Sequence, residues 1–330
     1  MLSREEPKKA GCFTAAAATL TATSPLGKSL YKRAKIKYNN PAPGCWNVIQ
    51  SGLKNQWEQS HEGSIPSPGT MRIIFLNIWG GQVFEPLMQF IQEHARSTDF
   101  FCFQEVLDSP TPGLTPWGGK TDIRKKLQEA LLEFQEYYAP SHNILDKNGN
   151  VDPTTLVGVA IFAKQEIEVK SQGRLHVQGD PSGKSHDDRQ GAPHYFQYVR
   201  FEHNEKPYTL CNMHGTAYPG DKLDTPERLE QSKRIVDFLS KETGEKILGG
   251  DFNLLPSTES IGMIERMGMK ELVREYKIET TRSELNYKRY PNNIQYFSDY
   301  VFVSSDIKVT SFEVPQLNIS DHLPLVLEFA

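Results

Sequence analysis

From Met71 onward, apolar runs of strand length alternate with stretches of helical period, and several runs are apolar throughout rather than at every second residue. A strand that is apolar on both faces has to be covered on both faces, which restricts the chain to layered architectures of sheets and helices. The runs predict strands over Arg72–Trp79, Asp99–Gln104, Leu156–Ala163, Tyr195–Glu202, Tyr208–His214, Lys246–Asp251, Tyr296–Ser304, Val309–Val314 and Leu325–Phe329. Helical spacing predicts helices over Val83–Ala95, Asp122–Glu136, Pro226–Lys241 and Thr258–Met267. In the first of these, Phe84, Leu87, Met88 and Ile91 share one face. An α/β domain of about 260 residues without an internal boundary follows. Asp146–Asn150 reads as a turn, and Gln178–His194, polar with three Gly and two Pro, reads as a lid, a binding loop or plain disorder.

Residues 1–70 are of another kind. They hold nine Lys or Arg against four Glu, which leaves 28 basic and 37 acidic residues to the remainder of the chain. An Ala/Thr/Ser tract and the cluster Lys28–Lys37 show almost no apolar periodicity, so a disordered basic extension or a transit-type segment is expected, with the fold beginning at Met71. With 38% hydrophobic residues a sizeable core can form, which excludes a disordered or fibrous chain. No run is long enough to cross a bilayer. Four Cys exclude a disulfide scaffold; Cys102 and Cys211 lie in apolar runs and read as buried thiols in a reducing, cytoplasmic compartment, unless the extension directs the chain to an organelle. The net charge of -4 argues against a non-specific nucleic-acid coat protein.

Six short clusters place acid, amide or imidazole groups at strand ends: Leu76-Asn77, Phe103-Gln104-Glu105, Asn212-Met213-His214, Gly249-Gly250-Asp251-Phe252-Asn253, Ser298-Asp299-Tyr300 and Ser320-Asp321-His322. Each has a bland reading as a cap, a turn or a surface pair. Together, along one sheet edge, they can converge on a single cleft. There Glu105, Asp251, Asp299 and Asp321 would repel one another unless a cation neutralised them, and oxygen ligands without Cys select Mg²⁺, Mn²⁺ or Ca²⁺ over zinc. His214 and His322 add acid/base capacity near neutral pH, while Asn77, Asn212 and Asn253 offer amides able to hold an anion's oxygens. That set suits attack of water on phosphorus.

In order and spacing these six motifs resemble the endonuclease/exonuclease/phosphatase superfamily, the deoxyribonuclease-I-like fold, over Arg72–Phe329. The resemblance implies a four-layer α/β/β/α sandwich, two packed, mostly antiparallel sheets flanked by helices, with the site at one edge. It implies Glu105 as the main metal carboxylate, Asn77 beside it on metal or phosphate, and Asp321 on the metal or a metal-bound water. Asp251 would orient or deprotonate the attacking water and Asn253 steady the phosphorane oxygens. Asp299 would fix the tautomer of His322, and His214 would protonate the leaving group or contact phosphate. The cofactor implied is Mg²⁺ or Mn²⁺. One departure stands out: many members carry a cation just before the Asp of the Asp-Tyr element, where this chain has Phe297-Ser298. Arg228 is either its substitute or a helix-surface ion pair, and Tyr218 either lines the cleft or packs in a loop.

The superfamily spans nucleases, inositol-phosphate phosphatases and sphingomyelinases, so the fold does not name the substrate. Scattered basic residues weaken a duplex-DNA enzyme, the patch Lys120–Lys126 reads as a solvated helix face, and no membrane-binding hairpin supports a sphingomyelinase. The expectation is a monomeric, divalent-metal-dependent phosphoesterase, with a phosphodiesterase or nuclease ahead of a phosphomonoesterase and nucleic acid among the candidate partners. A catalytically silent binding module is the alternative of another class.

Overall fold

In a computed structural model, two six-stranded sheets pack face to face with helices outside them. The structure describes residues 69–182, 185–187 and 191–330; the expected basic extension, apart from its last two residues, lies outside them. The first sheet runs in the order β11 (Val309–Glu313), β12 (Leu325–Phe329), β1 (Met71–Asn77), β2 (Phe100–Asp108), β4 (Val151–Lys164), β3 (Phe134–Leu145). The second runs β5 (Val169–Gln178), β6 (His194–His203), β7 (Lys206–His214), β8 (Glu245–Asp251), β10 (Asp299–Ser304), β9 (Met269–Glu271). Only one pair in each sheet is parallel, β1 with β2 and β7 with β8. Each parallel pair is joined through a helix, α1 (Phe84–His94) and α3 (Pro226–Leu239) respectively. A parallel pair cannot be closed by a tight turn, which is why a helix stands at each of these places.

The continuous apolar character of β1 has a direct cause. Ile73 and Phe75 point into the core between the sheets, with Phe100, Ile161, Leu210 and Leu248, whereas Ile74 and Leu76 point outward against Leu87 and Ile91 of α1 and Ile123 of α2 (Ile123–Ala130). Both sets are fully buried, and each such side chain contributes about 1.5–3 kcal/mol. On the far side Ile235 and Leu239 of α3 and Ile261 of α4 (Glu259–Glu265) cover the second sheet. Thr225 caps α3 by accepting from Arg228 N, with Pro226 at the first turn, a start signal legible in Thr-Pro-Glu.

All nine predicted strands form. Three others lack an apolar run: β3 and β5 are polar edge strands, and β9 is three residues long. The helix expected over Asp122–Glu136 stops at Ala130, because Phe134 already pairs with Lys164 as the start of β3. Two short helices were not predicted, α5 (Leu272–Glu275) and α6 (Glu284–Arg289). Asp146–Asn150 is the β3–β4 turn, with Asp146 Oδ1 accepting from Asn148 N and Asn150 N. The Lys120–Lys126 patch is not a uniform basic face: Arg124 pairs with Asp108 and Glu136, and Lys126 with Glu129. Among the described residues no helix is long and apolar enough to cross a membrane. Cys102 and Cys211 are free and buried.

Candidate active site

Strand register alone brings the polar clusters together. Asn77 ends β1 opposite Gln104; His214, ending β7, pairs with Asp251, ending β8; Asp251 in turn pairs with Asp299, which starts the antiparallel β10. Ser320–His322 precede β12, whose first residues lie beside the end of β1. One extra residue in β2 between Phe103 and Val106, opposite Ala160 and Gly158 of β4, makes a bulge, and Glu105 adopts a φ of 56° there. A bulge re-aims a side chain, and here it turns Glu105 into the end of the sandwich.

Asn77 Nδ2 donates to Glu105 Oε1 and to Asp251 Oδ2, 3.1 Å each, while its Oδ1 accepts from Trp79 N at 3.0 Å. Its amide therefore aligns two carboxylates. His214 Nε2 lies 3.8 Å from Glu105 and 3.9 Å from Asp251. Asp299 Oδ1 accepts from His322 Nδ1 at 2.8 Å, and its other oxygen accepts from Ser298 Oγ and Thr281 Oγ1. Since a carboxylate only accepts, this bond fixes the proton on Nδ1 and directs Nε2 toward Asp251, 3.6 Å away. Asn253, at a φ of 55°, holds Asp251 through its backbone N and Nδ2.

One predicted site residue is elsewhere. Asn212 is fully buried: Nδ2 donates to Phe103 O and Ala160 O, and Oδ1 accepts from Gln104 Nε2 at 2.7 Å. Its amide ties the two sheets together and does not face the cleft, because it lies one step deeper on the same inter-sheet face that His214 reaches at the rim. Arg228 makes an ion pair, with Asp221 at 3.6 Å, but not on a helix surface. Fully buried, it donates to Leu223 O, Thr216 O and Pro219 O and so holds the loop between β7 and α3. Tyr218 is half exposed on that loop.

Two cations that sequence reading missed complete the cluster. Lys222 Nζ bonds Asn253 Oδ1. Arg282 donates from Nη1 to Ser298 Oγ and contacts the His322 ring, and from Nη2 to Asp321 Oδ2 at 2.9 Å. A short bridge between Arg282 and His322 in the backbone sets this contact. Neither residue lies in an apolar run or a periodic segment, so no sequence signal marks them.

Electrostatics follow from this crowding. Burial and the Asp321 charge push Glu105 up to about 7 against the Asn77 hydrogen bond and the His322 charge. Burial opposes ionisation of Asp251 too, but His322, Lys222, His214 and Arg282 outweigh it and hold the carboxyl far below its ordinary range. Burial and Arg282 push His322 down, yet Asp299, Asp321 and Asp251 raise it above its ordinary value. Burial lowers Lys222 to about 8. The donors suit a hard divalent cation: Asp321 Oδ1 is buried without a hydrogen-bond partner, and Glu105 is destabilised as an anion by its neighbours. Asp251, Asp299 and His322 also lie at metal-holding spacing, with ligand atoms within 4.8 Å of one another. There, however, the imidazole Nδ1 is already committed to Asp299, which favours Glu105 and Asp321 as the cation's ligands.

A cavity of about 320 Å³ opens beside Glu105 and His214, lined also by Trp117, His142, His186 and His194. His186 belongs to the long polar loop, so part of that loop lines the space next to the site.

A two-sheet sandwich with acids and imidazoles gathered at one end of its strands defines a class of hydrolase folds. The chain belongs to the endonuclease/exonuclease/phosphatase family, whose model matches residues 74–322. Its fold is similar to that of an endonuclease/exonuclease/phosphatase from Bacteroides vulgatus, at 18% identity and a TM-score of 0.58, covering 79% of this chain and 98% of that one. It is also similar to the human Nocturnin catalytic domain with bound sulfate, at 18% identity and a TM-score of 0.58 over 79% and 94% of the two chains. A mannosyl-6-phosphatase from Bacteroides thetaiotaomicron matches at 18% identity and a TM-score of 0.56 over 79% and 99%. A comparison with curated protein sequences found no match.

Proposed function

We propose that this protein hydrolyses a phosphodiester by in-line attack of water, with a divalent cation, Mg²⁺ or Mn²⁺, held by Glu105 and Asp321. The observation that carries this reading is the meeting of four carboxylates, Glu105, Asp251, Asp299 and Asp321, with two imidazoles, at imidazole–carboxylate distances from 2.8 Å to 3.9 Å. When bound, the cation would polarise a phosphoryl oxygen and offset developing charge. Asp251, ionised across the neutral range, accepts a hydrogen bond from the attacking water and orients it, with Asn77 and Asn253 fixing the carboxylate. His322 has Nδ1–H held by Asp299, and its Nε2, which accepts from Arg282 Nη1, can take up a proton when that contact is exchanged for the reacting water or substrate. His214, at the rim between Glu105 and the cavity, is placed to protonate the leaving oxygen.

Charge favours a diester. With a divalent cation bound, four carboxylates are balanced by that ion, Lys222 and Arg282 to about zero, so little surplus positive charge is left for a monoester carrying nearly two negative charges. The fold similarity to a mannosyl-6-phosphatase supports a monoester as the second reading. Turnover of bis-p-nitrophenyl phosphate against p-nitrophenyl phosphate, with Mg²⁺ or EDTA, separates the two. Glu105→Ala, His322→Ala and EDTA should each abolish hydrolysis while leaving the circular dichroism unchanged. Hydrolysis that survives chelation would refute the metal requirement, and no turnover of any phosphoester would leave the silent binding module.

A further inference from the structure

Lys222 and Arg282 are 8% and 6% exposed, and a buried cation is unfavourable unless opposite charge meets it. Lys222 does not discharge on a carboxylate: its ammonium bonds the neutral amide oxygen of Asn253. The oxygens of Asp251, which both cations hold ionised, instead take hydrogen bonds from Asn77 and Asn253. The positive charge of Lys222 thus stands beside the site, felt by Asp251 and Asp299 but hydrogen-bonded to an amide and to neither of them. Arg282 Nε is buried without a hydrogen-bond partner, and its Nη1 rests on the His322 ring. Backbone conformation adds an independent observation. Lys222 has a φ of 58°, a left-handed value uncommon for Lys, and its partner Asn253 one of 55°, which Asn tolerates. Such backbone persists where the surroundings enforce it and gathers at functional sites. The enforcement is visible, since Leu255 N donates to Lys222 O and the fully buried Arg228 holds three carbonyls of the same loop.

We infer that Lys222 and Arg282, brought from the β7–α3 loop and from the segment before α6, form a two-point clamp for the non-bridging oxygens of the phosphoryl group. Lys222 is a point charge beside Asn253, and Arg282 is a planar guanidinium whose Nη1 meets Ser298 and His322 and whose Nη2 pairs with Asp321, with Nε left to bond. The inference rests on the proposed phosphoester chemistry for the identity of the anion. The competing account is that both residues only neutralise the four carboxylates, in which case they would matter for stability and not for anion binding.

Sulfate is the probe, titrated calorimetrically into the full chain in EDTA, with unfolding followed in parallel. Lys222→Gln and Arg282→Gln should each weaken sulfate binding about tenfold or more, the loss of one charge-assisted contact, and raise the KM for bis-p-nitrophenyl phosphate in proportion. Sulfate affinity within about twofold of wild type in the folded Gln variants, or no sulfate binding by the wild-type chain, overturns the clamp. If the Gln variants do not fold, Lys222→Arg and Arg282→Lys decide. These keep the charge but change reach and fork, so about threefold weaker binding is expected, and unchanged affinity in both overturns the inference. If no phosphoester is hydrolysed but the variants still lose sulfate, the proposed activity falls and the anion clamp stands.

Discussion

Metal-free protein should become less stable as pH rises, and Glu105 sets the size of the effect. Its carboxyl titrates near 4.5 in an unfolded chain and is pushed to about 7 in the folded one. A carboxyl raised on folding favours the native state only while protonated. Below about pH 4.5 it contributes no penalty; the penalty grows between about 4.5 and 7 and is complete above. A shift of roughly 2.5 units corresponds to about 3 kcal/mol. A divalent cation reverses this, because it binds the carboxylate, so its affinity should fall about tenfold per pH unit below about 7. The assay is urea denaturation in EDTA at several values from pH 5 to 8, for wild type and Glu105→Gln, whose neutral amide mimics the protonated acid. Asp251 stays ionised and His322 titrates in both proteins, so both largely cancel in the difference. The Gln variant should gain about 3 kcal/mol on wild type across this range, and saturating Mg²⁺ should reverse the order. A difference that does not vary with pH would refute the argument that Glu105 is held protonated by burial and by Asp321.

Asp299→Asn retains the shape that Ser298 and Thr281 recognise but removes the charge that orients His322. It should lower kcat on bis-p-nitrophenyl phosphate by about 10²–10⁴ with little change in KM, and retention of most of the wild-type rate would count against the pairing. Gly250 has a φ of 129°, and a Cβ there would meet Met213 O at 2.2 Å. Gly250→Ala should therefore cost about 2 kcal/mol or more in chemical denaturation, since the obstructing atom is backbone; an unchanged midpoint would show that the β7–β8 contact can yield. Asn212→Ala leaves Phe103 O, Ala160 O and Gln104 short of buried partners, and should cost about 2–4 kcal/mol of stability. Sulfate binding by the folded fraction should remain, and its selective loss would return Asn212 to the cleft.

Most of the nine legible strands are buried on both faces and leave unbroken apolar runs such as Phe100–Phe103, whereas β6 and the edge strand β11 are only partly buried. The strands that escaped notice lie at or near the sheet edges, where one side meets solvent and polar residues intrude. β3 even carries Pro140, and Leu131 and Phe134 prolong an apparent helical period that the pairing of Phe134 with Lys164 interrupts. Acids and histidines of the site were legible for a related reason, since each directly follows or precedes a buried run. Lys222 and Arg282 sit in loops whose sequence has no period, and the groups they meet, Asn253 and Asp321, come from distant parts of the chain.

Sequence by itself determined which residues are forced into strands and which chemical groups stand at the strand ends, because burial leaves a local signature in every run. Tertiary structure decided what each end group faces. Asn212 and Asn253 carry the same amide, yet sheet packing turns the first inward to join the two sheets and a left-handed turn aims the second at Asp251. The pairings of His214 with Asp251 and of Asp251 with Asp299 depend on register between strands distant in the chain, and the placing of Arg282 against His322 depends on a single bridge across 40 residues. Long-range register and charge compensation are properties of the assembled sheets, and no local pattern encodes them.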